Sequence, residues 1–241
     1  MAQEVVARRV VPVAVSLIIC VGFVVLLVSQ LGLTIPAMPK TLLSSVGAAP
    51  GPKPCELKQA AQCFGTDFRS SLKQGRLSGS DLGQSILTGS DLTMVDLSKS
   101  SLRQSMLSQA NLTGANLSGA DLRQIEAGQA RFAQANLREA DLGGANLASA
   151  DLHQADMSSA NLRGVTAAAA NFAFAELSGA NLSRSSLAGA NFQNANLSNA
   201  DLTNSDLSNA DFTGAQVTGL RITGIKTDGC KGCPTQSAVG G

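Results

Sequence analysis

At 241 residues, with 18 basic and 17 acidic side chains, the chain is nearly balanced in charge, which excludes a whole-chain field suited to nucleic acid or acidic substrates. Tyr and Trp are absent and a single His is present, a poor supply for a binding pocket or an acid–base active site. Apolar content sits in Ala and Leu, which suits a narrow, regular core better than a globular one.

The chain opens with an uncharged run from Val10 to Val28, extended by Leu31 and Leu33 and long enough to span a bilayer. Residues 1–34 are therefore expected to form a cytoplasmic tip and a transmembrane α-helix. The run overshoots a signal peptide, and Gln30 to Met38 offers no Ala-x-Ala site, which favours an uncleaved anchor; secretion after cleavage is the alternative. Arg8 and Arg9 precede the span and Lys40 follows it, so the N-terminus is expected in the cytoplasm and the rest outside. Residues 35–54 are rich in Pro, Ala, Gly and Ser and read as a semi-rigid spacer. Residues 55–69 lack a clear repeat and read as an N-terminal cap over the first coil of a repeat array.

From residue 70 to 226 the chain is a five-residue phrase. Taking the large apolar residue as its centre, 31 units run in one phase from Leu72 to Ile222, and 26 of the centres are Leu or Phe. Two positions before the centre stands Ala or Ser in 26 units, and Asp or Asn usually stands between. Neither a helix nor a continuous strand fits a period of five, because neither would send every centre to a common side. The chain must turn within each unit.

Phrases such as Ala-Asn-Leu-Thr-Gly (Ala110 to Gly114) and Ala-Asp-Leu-Gly-Gly (Ala140 to Gly144) resemble the A(D/N)LXX pattern of the pentapeptide-repeat family. The resemblance implies an all-β fold, a right-handed quadrilateral β-helix of about eight coils with four units to the coil. The centre and the small residue before it would face inward and the other three positions outward. Two features agree with a coil of four units. All the Phe centres (Phe132, Phe172, Phe192 and Phe212) fall in one column of every fourth centre, and Ala127 and Ala167 share another. Each of these Ala centres follows a larger inward residue, Ile125 or Val165, so the apolar volume has moved rather than vanished.

Twelve of the 17 acidic residues stand immediately before a centre, where a short polar side chain is expected to bond the turn backbone. They make poor candidates for acid–base work, and His153, alone in an outward slot, reads as solvated. No catalytic, cofactor or metal site is expected. Arg103, Arg123 and Arg163 share an outward column beside Gln84, Gln104 and Gln124, either as a partner-binding stripe or as cations paired with Asp121 and Asp141. Ile86 and Met106 stack in a slot normally polar, and Met94 and Phe174 occupy other outward slots; this apolar exposure is the first place to look for a partner.

Residues 227–241 read as a tail carrying Cys-Lys-Gly-Cys. Coils at strand spacing would separate Cys55 and Cys63 from Cys230 and Cys233 by roughly 35 to 40 Å, so one zinc site cannot use all four. In an exported chain, disulfides Cys55–Cys63 and Cys230–Cys233 are the economical pairing.

The leading expectation is a non-catalytic, membrane-tethered scaffold or protein-binding rod, periplasmic or thylakoid-lumenal by resemblance, with an unknown protein partner and no nucleic acid. Dimerisation through the C-terminus occurs in the family, but Thr227 to Gly241 shows no helical pattern for it, and a homodimer stays open. The alternative is the DNA-mimic topoisomerase regulation of the family's quinolone-resistance branch. That needs a strongly acidic cytoplasmic rod, whereas Leu72 to Ile222 carries 13 acidic and 10 basic residues. A redox role for Cys230 and Cys233 is a further alternative, without the βαβ context such chemistry uses.

Overall fold

The computed structural model describes residues 77–235. The expected anchor, spacer and N-terminal cap, with Cys55 and Cys63, lie outside them. Among the described residues no helix is long and apolar enough to cross a membrane.

From Asp81 onward, the residue before each centre forms a single parallel bridge with the residue twenty positions later, as in Asp81 with Ser101 and Asp96 with Asn116. Twenty residues therefore close one coil, and four ladders make four faces. In chain order, face 1 carries the bridges of Asp81 to Arg221 and face 2 those of Ile86 to Lys226. Face 3 carries Asp91 to Lys231 and face 4 Asp96 to Gln216. Between faces the chain turns a corner, the carbonyl of the centre accepting from the N–H three residues on, as in Ala115 N–H to Leu112 O at 3.0 Å.

The third residue of every such turn has positive φ. All 31 positions from Gly79 to Gly229, taken every fifth, lie between +54° and +74°. That is the requirement of a type II turn. Gly or Asn fills 16 of these positions and no β-branched residue fills any, because a branched Cβ is least tolerated there. The Asp or Asn before the centre stiffens the same turn: Oδ1 of Asp81 accepts from Gly83 N–H at 3.0 Å, and Asp201 accepts from Thr203 N–H at 2.9 Å. Many of these amides also link coils, as when Asn136 Nδ2 donates to Asn116 Oδ1 at 3.1 Å.

The interior is one apolar column. Every described centre from Leu77 to Leu207 is sealed from solvent, and Ile125, Ala127, Val165 and Ala167 are buried with them, so both members of each exchanged pair point inward. Phe172, Phe192 and Phe212 stack face to face with centroids 4.8 and 4.7 Å apart, a geometry dictated by the coil repeat.

The ladder does not stop at residue 226. Asp206 bridges Lys226 and Asp211 bridges Lys231, so the Cys-Lys-Gly-Cys segment belongs to the last coil rather than to a separate tail. In this coil the centres shrink to Val217, Ile222, Thr227 and Gly232 while their inward partners grow to Leu220, Ile225 and Cys230. Cys230 and Cys233 lie side by side as a pair, with Cα atoms 5.8 Å apart. Gly232 lies so close to Phe212 that a Cβ would stand 3.1 Å from its backbone carbon. With φ of +58°, a side chain at this centre would be strained and would press on the backbone of Phe212.

Candidate interaction surface

Because the interior is filled and the rungs are self-paired, any chemistry offered to a partner sits on faces and corners. The corner between faces 1 and 2 carries Arg103, Arg123 and Arg163 in one column, with Gln84, Gln104 and Gln124 alongside. The glutamines form a ladder, Gln84 donating to Gln104 at 3.2 Å and Gln104 to Gln124 at 3.1 Å.

The arginines do not share one fate. Arg123 grips Asp121 with both nitrogens of its fork, Nε to Oδ1 at 2.8 Å and Nη2 to Oδ2 at 2.5 Å, and reaches Asp141 at 3.6 Å. That hydrogen bond holds the Asp121 carboxyl below the ordinary carboxylate range and the Arg123 guanidinium above its own. Arg103 and Arg163 have no carboxylate at ion-pairing distance among the described residues; Arg103 acts on Asp121 only through a weaker, longer-range attraction, so direct pairing with Asp121 and Asp141 accounts for Arg123. The reason for Arg163 is local. Asn161 occupies the slot that Asp121 fills for Arg123, and Asp141 is already bound by Arg123 and by Asn161 Nδ2 at 2.7 Å.

Above Arg123 the corner loses its side chains at Gly143 and Gly164, which line an open notch of about 370 Å³. Arg123 and Asp141 wall it on one side, Arg163 and Arg184 on the other. Arg184 went unread in the sequence because it belongs to the Gln column rather than the Arg column. The interruption of both columns by glycine was the available signal. A second hollow of about 300 Å³, at the corner after face 4, is lined by Lys99, Arg138 and Glu139 among others, with Arg138 paired to Asp156 at 3.2 Å.

Ile86 and Met106 are bridged on face 2, adjoining the Arg corner, with Met106 47% exposed and Ile86 half-buried. Phe174, 51% exposed, stands at the corner between faces 3 and 4, diagonally across the coil from the arginines. The structure thus brings Ile86 and Met106 beside the Arg column and sets Phe174 apart. His153 is not merely solvated: it is half-buried, and its ring meets Phe174 edge-on with centroids 5.5 Å apart, because Phe174 overhangs it by one coil. Met94, 72% exposed, lies on the same corner with its sulfur over Gly114. No cluster of metal-ligating side chains occurs among the described residues.

A parallel β-helix of four five-residue sides, with an Ala/Leu interior and Asp/Asn turn bridges, defines a class of solenoid. The model of pentapeptide repeats matches residues 61–104, 95–125, 129–165, 168–204 and 190–226 in 8 copies, and the chain belongs to that family. No curated protein matches it. Among solved structures, it is 29% identical to HetL, a pentapeptide repeat protein involved in heterocyst differentiation regulation from the cyanobacterium Nostoc sp. strain PCC 7120, over 71% of this chain and 83% of that one, with a TM-score of 0.40. The pentapeptide repeat protein Rfr23 from the cyanobacterium Cyanothece 51142 is 38% identical over 38% of this chain and 63% of its own, with a TM-score of 0.38. QnrB1, a plasmid-mediated fluoroquinolone resistance protein, is 19% identical over 71% of this chain and 91% of its own, with a TM-score of 0.34.

Proposed function

We propose that this protein is a non-enzymatic rod that presents a protein-binding surface, held at a membrane by the apolar run of residues 10–28 with its repeats outside the cytoplasm. One observation carries the binding reading. The repeat satisfies its own interior and backbone, yet Met94, Met106 and Phe174 stand 72%, 47% and 51% exposed at slots that polar or glycine residues fill in most units. None of these side chains belongs to the sealed interior, and Met106 adjoins Ile86 in an apolar pair of the kind that marks a contact surface. A DNA-mimic role fits less well, because Arg103, Arg123, Arg163 and Arg184 interrupt any continuous acidic track.

The test is co-purification of the membrane-anchored full chain from its host. The expected result is a stoichiometric protein partner that is lost on Met106→Asp or Phe174→Asp while the circular dichroism is unchanged. A set of co-purifying proteins indifferent to all three outward substitutions, Met94→Asp included, overturns the binding surface. For the tether, a C-terminal reporter active only outside the cytoplasm should be active, and a silent one overturns the orientation.

A further inference from the structure

Besides Arg103, the corner between faces 1 and 2 holds two neighbouring guanidinium groups, Arg163 and Arg184, that the repeat does not use. Arg163 and Arg184 are exposed, sit on successive coils in adjacent columns, and have no carboxylate at ion-pairing distance among the described residues. Roughly 5 Å separates their backbone levels, a spacing that a single carboxylate can bridge. Gly143 and Gly164 line the notch, and at Gly164 the backbone is bare, so a ligand can approach the coil itself. At Gly164 a Cβ would meet nothing within 4 Å, which measures how open that floor is.

We infer that this notch is a docking site for an acidic protein segment, one carboxylate of which is held between Arg163 and Arg184 over the glycine floor. The inference rests on the reading of the protein as a partner-binding rod and names the chemistry of the partner. Charge complementarity selects the occupant. The lining side chains Arg123, Arg163, Arg184 and Asp141 sum to +2, and Asp141 is already engaged by Arg123 and Asn161. A nucleic acid would require a continuous track of cations, whereas face 1 beside the notch is mostly Asp and Asn and offers no such track. A free small anion would meet two solvated arginines and gain little from them. Only a ligand that also covers the glycine floor removes water from the pair, and a polypeptide segment does so.

The experiment titrates the detergent-solubilised full chain with a fluorescein-labelled hexaglutamate peptide and, separately, with inorganic phosphate and a labelled single-stranded DNA 20-mer. The paired charge reversal Arg163→Glu/Arg184→Glu is expected to weaken peptide binding at least about 10-fold, and Arg138→Glu at the other hollow to leave it unchanged. Gly164→Gln keeps every charge and places on the floor the residue that already stands at Gln104 and Gln124 in the same column with φ of 59° and 58°. It is expected to weaken binding about as much as the charge reversal. Equal binding by Gly164→Gln and the parent chain overturns the notch in favour of diffuse attraction. Tighter binding of the DNA overturns the protein ligand, and phosphate competing at equal concentration overturns the segment in favour of a simple anion. No peptide binding, with a Met106-dependent partner retained in co-purification, overturns this inference while leaving the rod's binding function standing.

Discussion

The middle coils and the coil that ends the rod fill the same square with different residues. In the middle, Leu or Phe centres meet Ala and every centre is sealed; at the end, Val217, Ile222 and Ile225 are only half-buried, and Leu220 alone is 3% exposed. Where a middle coil carries Asn at the corner, as at Asn194, Asn199, Asn204 and Asn209, the last coil carries Gly, and each Asn side chain lies over the glycine one level on. Inward volume can therefore be traded between the two core positions of a unit. A corner can be stripped wherever the neighbour's side chain takes its space. A solenoid in which each coil touches only its neighbours permits such local solutions.

The comparison breaks most severely at a middle centre. Leu142→Asp puts a charge on a dry axis with nothing to pair it, and should cost about 4 kcal/mol or more and abolish cooperative folding of the adjoining coils. Near-normal circular dichroism and thermal stability in that variant would show that the axis is not closed. Next in size is truncation within the Phe stack. Phe192→Ala removes a ring that contacts rings on both sides and should cost about 3–5 kcal/mol in chemical denaturation, whereas Ile222→Ala in the last coil should cost clearly less. Equal losses would mean that the end is as tightly sealed as the middle.

Two buried serines sharpen the comparison at smaller scale. Ser205 Oγ donates to Leu182 O at 2.7 Å and accepts from the buried Ser185 N–H at 3.1 Å, so Ser205→Ala should lose about 2 kcal/mol. Ser105 Oγ is buried with no partner among the described residues, so Ser105→Ala should be neutral or stabilising by up to about 1 kcal/mol. The smallest expected effect lies beneath the last coil. Hydrogen bonds from the hydroxyl of Thr213, the amide of Gln193 and the backbone of Thr213 lower the Asp211 pKa from 3.8 to about 2. A carboxyl depressed on folding contributes stability that is complete above its unfolded pKa of 3.8 and disappears as pH falls through about 2. The melting temperature of the parent chain should therefore fall more steeply between pH 4 and pH 2 than that of Asp211→Asn. Parallel curves would count against these bonds.

Much of the fold was legible before the structure. The period showed that the chain turns within each unit and that Asp and Asn stand where they can bond the turn; the inward positions and the coil of four units were what the family resemblance implied, with the column of Phe centres in support. The exchange of volume at Ile125 and Ala127 followed from those positions. The end of the rod was less so. Thr227 and Gly232 do not look like centres, and only the bridges of Lys226 and Lys231 reveal that their coil continues. The left-handed corner was written in the Gly and Asn enrichment of the third turn position, but Met94 and Phe174 at the same position hid it.

The sequence by itself determined which side of the chain faces the axis, since a five-residue phrase has only one way to keep its apolar members together. Tertiary structure decided which outward groups meet. Neighbours in a column are twenty residues apart, and the fate of an arginine depends on whether Asp or Asn stands beside it in its own coil and whether the carboxylate one coil below is already bound. Arg123 and Arg163 occupy identical slots in the repeat; one is locked to Asp121, and the other stands open beside a glycine floor.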